Sequence, residues 1–297
     1  MATELALGCM NFGKRTPEPE ARRIMARAVE RGVTLFDTAN AYNDGESERI
    51  VGRTLRDHSG VRVATKVGAW KREGLSAARV KASLDESLQR LGRDSVDVYY
   101  LHLPDHQTPI EDTLGAVAEV LASGKVKAFA LSNYASWQCL EILERCDRMG
   151  IARPVMCQQI YNLLIRQLDL EYLRFASKYR LHTTVYNPLA GGLLAGQQGA
   201  RFDRNPLYQK RYLSDVFMEA VAAFDRVAAD AGISLVTLAY AWCAQRPGVD
   251  SILIGPGTLE HLDAALDAVD VPLSDSVKAA VDAVHLALVG TNTSYAR

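Results

Sequence analysis

Four side chains suited to proton transfer stand at or just past the ends of apolar runs in this sequence. Asp37 and Tyr42 belong to the run TLFDTANAY, Lys66 to VRVATKV and His102 to VDVYYLHLP. Each run is typical of a β-strand, and in a barrel of alternating strands and helices the C-terminal strand ends converge on one mouth. A carboxylate, a phenol, an ammonium and an imidazole brought together there suggest proton transfer to a carbonyl oxygen.

The elements that would position these side chains follow a repeated order of helix, glycine and apolar strand. The first helix is predicted from about Pro19 to Arg31, with Gly32 as its C-terminal cap before the next strand. The same order recurs at Gly92, Gly124 and Gly150. The strands are predicted to end near Cys9, Asp37, Lys66, His102, Ser132, Gln158, Tyr186 and Gly255.

Eight such strands alternating with helices predict an α/β fold, an eight-stranded parallel (β/α)8 TIM barrel. The last interval between strands is longest and accommodates an inserted loop around residues 197–215. A doubly wound open sheet is the alternative, but LALGCMNFG has two isolated glycines instead of the G-x-G-x-x-G turn typical of that fold. No linker rich in proline, serine or glycine divides the chain, so we expect a single barrel domain over residues 1–297.

Composition limits the classes of partner. The chain has 297 residues, of which 48% are hydrophobic and 23% charged, and a formal net charge of −1. It contains no basic block, so we expect neither nucleic acid nor a membrane surface as a partner. We expect a cytoplasmic protein, since the N-terminal residues lack the long apolar core of a signal peptide. Its five cysteines are scattered without a C-x-x-C pair, which favours buried thiols.

The four side chains have complementary tasks in carbonyl reduction. A hydride delivered to a carbonyl carbon leaves negative charge on the oxygen, so a proton donor beside it lowers the barrier. Tyr42 is the candidate donor, and an adjacent Lys66 ammonium would lower its pKa from the usual value of about 10. Asp37 would hold Lys66 charged and in place, while His102 is expected to be a neutral hydrogen-bond donor. Taken singly, an Asp-Lys pair or a histidine is often only structural.

The motifs DTANAY, TKV, YLHLPD, LSNY, QQIYN and VYNPLAGGLL together resemble the aldo-keto reductase superfamily over nearly the whole chain. Within it, YLHLPDHQTPIEDTL, LSNYASW and YNPLAGGLLAG are most similar to the aflatoxin-aldehyde and succinic-semialdehyde reductase subgroup. The resemblance implies catalytic roles for Asp37, Tyr42, Lys66 and His102. It also implies NADPH as the hydride donor and an aldehyde as the small-molecule carbonyl substrate, with carboxylated and dicarbonyl aldehydes among the candidates.

The resemblance also implies which residues bind the cofactor. Ser132, Asn133 and Gln158 would hold the nicotinamide carboxamide with Tyr186 stacked on its ring, although such residues alone are more typical of turns. Asp37 is also among the residues implied to bind the cofactor. After the seventh strand comes a glycine-containing loop in which backbone N–H groups can approach a pyrophosphate; it comprises Asn187, Pro188, Leu189, Ala190, Gly191, Gly192 and Leu193. After the eighth, a helix start suited to the adenosine phosphates includes Gly255, Gly257, Thr258 and His261.

Two features of the sequence concern the choice of cofactor: an arginine, and a difference from the family pattern in one helix. Arg201 resembles a family arginine that helps to bind the cofactor, which favours NADPH over NADH, although it is also interpretable as a solvated loop charge. Family members often carry Gln and Asn in the last of these helices, where this chain has His261, Ala264 and Ala265. Contacts to the adenine are therefore expected to be weaker or differently made.

The substrate side is implied by the same resemblance. Tyr208, Arg211 and the tail residue Arg297 match positions that face the substrate together with His102, and Trp70 is a candidate wall of the pocket. An arginine fork suits a carboxylate, and Arg211 is the strongest candidate, with a solvated loop charge as the alternative.

Two other function classes compete with this interpretation. Similar barrels also act as nicotinamide-binding sensor or regulatory subunits with little turnover. A metal-dependent hydrolase would need clustered ligands, whereas His102 and His106 are separated by Pro104, so no metal site is expected. The sequence leaves association with further copies of the chain, and the physiological substrate, open.

Overall fold

In the computed structural model, which describes residues 3–58, 60–69, 73–196 and 206–291, eight parallel strands form a closed barrel. The strands pair in chain order, and the first closes the barrel by pairing with the last. The predicted (β/α)8 fold is confirmed. The strands are β1 (Glu4–Gly8), β2 (Leu35–Asp37), β3 (Arg62–Val67), β4 (Val96–Leu101), β5 (Val126–Ser132), β6 (Met156–Ile160), β7 (His182–Tyr186) and β8 (Ser251–Ile254).

Helices alternate with these strands along the chain. The described helices are α1 (Glu18–Glu30), α2 (Glu46–Thr54), α3 (Ala77–Leu91), α4 (Ile110–Ala122), α5 (Ser136–Met149), α6 (Tyr172–Tyr179), α7 (Pro206–Tyr212), α8 (Asp215–Asp230), α9 (Leu235–Ala244), α10 (Leu259–Ala268) and α11 (Asp275–Val289). Short 3-10 turns span Tyr42–Gly45, Leu55–Asp57, Gln167–Asp169 and Ala190–Ala195. Gly92 and Gly150 end α3 and α5 in the left-handed conformation, at φ 63° and 67°, as the glycine pattern predicts.

The alternation of side chains along the strands explains why polar groups gather at one end of the barrel. A small apolar cluster inside the barrel includes Leu35, Ala64 and Ala130, with Met156 packed against it. Side chains two positions further along a strand face the same side. The inner face therefore continues, above this apolar floor, with Asp37 on β2, Lys66 on β3, Ser132 on β5 and Gln158 on β6.

The strand ends lie within two residues of their predicted positions, the largest difference being β6, which continues to Ile160 beyond Gln158. Part of the expected insertion around residues 197–215 is helical. Residues 206–212 form helix α7, and residues 197–205 lie outside the described part. The helix is held by its last residue, Tyr212, which is fully buried and accepts a hydrogen bond from Asn187 Nδ2 at 2.7 Å.

No single helix in the described part of the chain is long and apolar enough to cross a membrane. One bent pair, Asp215–Asp230 with Leu235–Ala244, meets the criteria of length and composition together, with an angle of 90° between the two helices.

Candidate functional site

An ion pair that is shielded from water lies at the mouth of the barrel. Lys66 and Asp37 are 0% and 1% exposed, and the Lys66 ammonium donates a hydrogen bond to Asp37 Oδ1. Lys66 Nζ also donates to the Thr38 carbonyl at 2.9 Å and to the Tyr42 hydroxyl at 3.4 Å. An ammonium has three hydrogens. Lys66 therefore has one N–H for each of these three acceptors, and one of them is the phenol.

The other carboxylate oxygen of Asp37 is also occupied. Gln158 Nε2 donates to Asp37 Oδ2 at 2.9 Å, so the carboxylate is held from both sides. The turn that begins at Tyr42 is anchored by Asn43, whose Nδ2 donates to the carbonyls of Met10 at 3.0 Å and Phe12 at 2.6 Å. The phenol is thus attached to a fixed turn and faces a fixed ammonium.

Burial determines the protonation state of the phenol. The pKa of Tyr42 lies well above its usual value because the phenolate would be desolvated, and the Asp37 carboxylate adds to the rise. Sequence analysis expected Lys66 to lower this pKa, but in the resting site burial and Asp37 outweigh any such effect. The Lys66 charge is balanced by Asp37, whereas the cost of burial falls on the phenolate alone. Tyr42 is therefore a neutral, protonated phenol at pH 7.

His102 is neutral as well, for a related reason. Burial, with a further contribution from the Lys66 ammonium, lowers the pKa of the imidazole to about 3. Its ring lies edge-on to the Tyr42 ring, with 5.9 Å between centroids and an interplanar angle of 83°. Its Nδ1 is buried without a hydrogen-bond partner in the described part of the chain.

Asn133 links β5 to the neighbouring side chains. It has a left-handed backbone with φ 65°, a conformation that asparagine tolerates. Its Nδ2 donates to the His102 carbonyl and to Ser132 Oγ, each at 3.0 Å, and its Oδ1 accepts from the Tyr186 hydroxyl at 2.7 Å. Both amide hydrogens of Asn133 are thus engaged by the protein, so its side chain positions its neighbours rather than offering a donor to a carboxamide.

A cavity of about 430 Å³ opens above these groups. Lys66 is fully buried and does not line it. Leu103 and Leu253 add apolar surface that sequence analysis did not assign to the site. Of the predicted residues, the lining includes Asp37, Tyr42, His102, Ser132, Asn133, Gln158, Tyr186, Asn187, Pro188, Leu189, Gly191, Gly192, Tyr208, Arg211 and Gly255.

A second cavity, of about 1080 Å³, continues from the first. The two share the lining residues Met10, Asn11, Leu189, Gly192, Tyr240 and Gly255. Gly257 and His261 line the second cavity, and Thr258 caps α10 there by accepting a hydrogen bond from the His261 N–H at 3.3 Å. The two cavities together form one cleft with two connected chambers, which fits a ligand made of two linked halves. Hydroxyl, amide and phenol groups at the ends of β5 to β7 face the first chamber.

The loop after β7 differs from expectation in its backbone. The Gly191 N–H donates to Asn187 Oδ1 at 2.5 Å and the Gly192 N–H to the Leu189 carbonyl at 2.8 Å. The Ala190 N–H donates to the Asn187 carbonyl at 2.9 Å. These three N–H groups close the 3-10 turn. Ala190 and Leu193 are buried and line neither cavity, and the cofactor contact that the resemblance implies for them stays a prediction.

Helix α7 supplies the polar edge of the first cavity. Tyr208 and Arg211 line this cavity. Arg211 lowers the pKa of Tyr186, but burial is the larger effect and raises that pKa to about 12. Tyr208 stacks on the anchored Tyr212 with 6.0 Å between ring centroids. The three other predicted residues, Trp70, Arg201 and Arg297, lie outside the described residues.

Sequence analysis missed the loop between β1 and α1. Met10 and Asn11 lie in both chambers of the cleft, and Lys14 and Arg15 line the second. The closure of the barrel was the available signal, because it places the loops after the first and last strands side by side.

In the described part of the chain, possible metal ligands are not clustered. In the described ranges, no group of three or more His, Cys, Asp or Glu residues is arranged to hold a metal ion. All five cysteines are buried and free. The cleft brings together a buried lysine, a neutral phenol and a neutral imidazole, groups that can take part in proton transfer.

Comparison with known proteins agrees with this geometry. The model of the aldo/keto reductase family matches residues 4–285. The chain is 35% identical over 308 residues to human aflatoxin B1 aldehyde reductase member 2, covering 95% of this chain and 85% of that protein. It is 32% identical over 308 residues to human aldo-keto reductase family 7 member A3, covering 95% of this chain and 92% of that protein.

A probable voltage-gated potassium channel subunit beta of Oryza sativa subsp. japonica is also similar, at 32% identity over 289 residues, covering 91% of this chain and 88% of that protein. The chain therefore belongs to the aldo/keto reductase family. It is an NAD(P)-dependent oxidoreductase of carbonyl compounds, and its resemblance to the aflatoxin-aldehyde reductase subgroup is confirmed.

Proposed function

We propose that this protein reduces aldehydes to alcohols, with NADPH as the hydride donor and Tyr42 as the proton donor. The observation that carries the proposal is the Lys66 ammonium 3.4 Å from the Tyr42 hydroxyl, beside a cavity that Tyr42 and His102 both line. Relatives named as aldehyde reductases support the class of substrate.

The protein supplies the proton and the polar environment of the carbonyl oxygen. Tyr42 holds the proton at rest, because burial keeps its pKa high. As the proton leaves, the N–H of Lys66 directed at the phenolic oxygen stabilises the negative charge that forms there. Asp37 holds this ammonium charged and in place. His102, neutral at pH 7, orients the carbonyl oxygen toward Tyr42 by donating a hydrogen bond.

The nicotinamide cofactor supplies the hydride when it is bound. Ser132 and Gln158 are the candidates for holding the carboxamide at the ends of β5 and β6, and Tyr186 for the ring face. The adenosine half would lie in the second cavity, at the N-terminus of α10, where partial positive charge favours phosphate. Holding the cofactor in this fixed position places its reactive face against the carbonyl beside Tyr42 and His102.

The position of Arg211 favours a particular class of aldehyde substrate. Arg211 lines the first cavity and belongs to a helix that Tyr212 fixes to the loop after β7. A planar guanidinium binds carboxylates in a bidentate manner. We therefore assign to the site aldehydes that carry a carboxylate at the end remote from the carbonyl.

The proton donor is tested with Tyr42→Phe. We expect kcat for NADPH-dependent aldehyde reduction to fall by about 10²–10⁴-fold, the usual range for a general acid, with NADPH binding unchanged. Tyr99→Phe is the matched control, since the Tyr99 hydroxyl is also buried but bonds the Val80 carbonyl at 3.0 Å, away from the cleft. A Tyr42→Phe variant that keeps the kcat of the control would contradict the proposal.

The carboxylate preference is tested with para-carboxybenzaldehyde and para-nitrobenzaldehyde, which have similar shape and differ in charge. In Arg211→Ala we expect KM to rise about tenfold or more for the carboxylated aldehyde only, the loss of one charge-assisted contact. Lys210→Ala is the control, because Lys210 is the adjacent exposed cation and does not line the cavity. Equal effects of Arg211→Ala on the two aldehydes would exclude a carboxylate role.

The alternative, a nicotinamide-binding regulatory subunit, draws on the relative named as a potassium channel subunit beta. Tight NADPH binding without turnover on a panel of aldehydes would favour it. We also propose a cytosolic location, because five buried free thiols suit a reducing compartment.

A further inference from the structure

The second cavity has an uneven distribution of charge. The helix start that faces it, Gly255 to Leu259, contains no cationic side chain. Asp267 also lines this cavity and is paired with Arg31 at 2.6 Å. The lysine and arginine that line this cavity in the described residues, Lys14 and Arg15, come instead from the loop after β1.

The loop after β1 is held in place by hydrogen bonds to the segment before α10. Asn11 Nδ2 donates to the carbonyls of Gly255 at 3.2 Å and Pro256 at 3.3 Å, and Thr16 Oγ1 donates to the Gly257 carbonyl at 3.0 Å. Inside the loop, the N–H groups of Arg15 and Thr16 each donate to the Asn11 carbonyl at 3.0 Å. The two cations are therefore carried on a turn bonded to the segment that opens α10.

The charge of Lys14 is available to a ligand. Its side chain is exposed and makes no hydrogen bond or ion pair with any described residue. Arg15, also exposed, lies next to it at the same edge of the cavity. A phosphate monoester carries a charge near −2 at pH 7 and forms strong charge-assisted bonds with ammonium and guanidinium groups.

Resting on the proposed use of NADPH, we infer that Lys14 and Arg15 bind the 2′-phosphate of its adenosine ribose and determine the preference for NADPH over NADH. NADH has a hydroxyl at this position, so a cation beside it contributes little to NADH binding. Discrimination then comes from the loop after β1, while α10 presents its N-terminus to phosphate without a cation of its own.

The test measures binding and does not depend on turnover. Dissociation constants for NADPH, NADH, adenosine 2′,5′-bisphosphate and AMP are measured by calorimetry for the intact protein and for Lys14→Ala, Arg15→Ala and the double variant. We expect each single change to weaken NADPH and the bisphosphate by about tenfold or more and the double change by more, with NADH and AMP within about twofold.

The matched control removes two cations from the other end of the barrel. Lys125 and Lys127, paired with Asp85 at 2.7 Å and Asp97 at 2.8 Å, lie at the start of β5. Lys125→Ala/Lys127→Ala should leave all four constants unchanged. The inference is overturned if the double variant at Lys14 and Arg15 weakens NADPH no more than this control does. Equal losses for NADPH and NADH, or equal affinity of the intact protein for both, also overturn it.

The outcomes separate this inference from the proposed function. NADPH-dependent aldehyde reduction that requires Tyr42 but is insensitive to the loss of Lys14 and Arg15 would overturn the inference alone. A protein that binds neither dinucleotide would overturn both.

Discussion

Replacing Lys66 by methionine removes one partner from an ion pair with almost no contact with water. Asp37 would keep the hydrogen bond from Gln158 Nε2 at 2.9 Å but lose the ammonium. Breaking a buried pair on one side costs about 3–5 kcal/mol, because the remaining charge is uncompensated. Asp37→Asn should cost a similar amount, since it leaves the Lys66 ammonium buried beside the neutral Thr38 carbonyl and Tyr42 hydroxyl.

The double variant Asp37→Asn/Lys66→Met separates the two contributions. It contains neither charge, so we expect it to lose only about 1–3 kcal/mol, the cost of polar groups left without partners. The coupling between the two sites is then several kcal/mol. Urea unfolding followed by circular dichroism measures it. Lys125→Met, at an exposed pair, is the control and should cost less than about 1 kcal/mol.

The double variant also distinguishes the effect of Lys66 on stability from its effect on kcat. Although it is stable enough to assay, it lacks the ammonium beside the Tyr42 hydroxyl, so we expect kcat to be about 10²–10⁴-fold lower than in the intact protein. Single changes whose costs simply add in the double variant would refute the reasoning about the pair. A double variant that keeps the full kcat would refute the role of Lys66 in supporting proton release.

Two further predictions concern a close backbone contact and a buried imidazole. A Cβ at Gly52 would lie 2.2 Å from the Leu91 carbonyl oxygen, whereas Gly115 has open space around it. Gly52→Ala should therefore cost several kcal/mol in urea unfolding while Gly115→Ala is neutral or stabilising by about 0.5–1 kcal/mol, and equal effects would contradict this. With its pKa lowered to about 3, His102 should show no imidazole titration by NMR between pH 7 and 5. The unfolded chain gains a proton at this histidine below about pH 6.5, so its contribution makes the free energy of unfolding fall as the pH is lowered, by up to about 1.4 kcal/mol per pH unit, and His102→Gln should lack that contribution.

The positions of the strands were predictable because they depend on local patterns. Apolar runs of strand length, several of them preceded by a helix and a glycine, locate the strand ends to within two residues. Asp37 and Lys66 each lie two positions beyond an apolar residue that faces the inside of the barrel. Their side chains are therefore predicted to lie at the same mouth of the barrel. These inferences need only the periodicity of a strand and the closure of a barrel.

Other parts of the site depend on contacts that no local pattern contains. Helix α7 is fixed by the contact of Tyr212 with Asn187, and short segments of this kind are helical only in their tertiary context. The N–H groups of Ala190 and Gly192 are used inside their own turn, which the glycine content of that loop does not reveal. The pKa of Tyr42 depends on the balance between burial and the Asp37–Lys66 pair, a property of the assembled site.

The pairing of β1 with β8 also has a consequence for the order of folding. Leu7 is bonded in register with Ile254, so this edge of β1 has no partner until nearly the whole barrel has been synthesised. At about 5–20 residues per second, ribosomal synthesis leaves that edge open for roughly ten to fifty seconds. The loop that carries Asn11 makes its bonds to Gly255 and Pro256 only after this closure. The cleft is therefore completed in one of the last steps of folding, and a nascent chain without β8 has the residues of the ion pair but no second cavity.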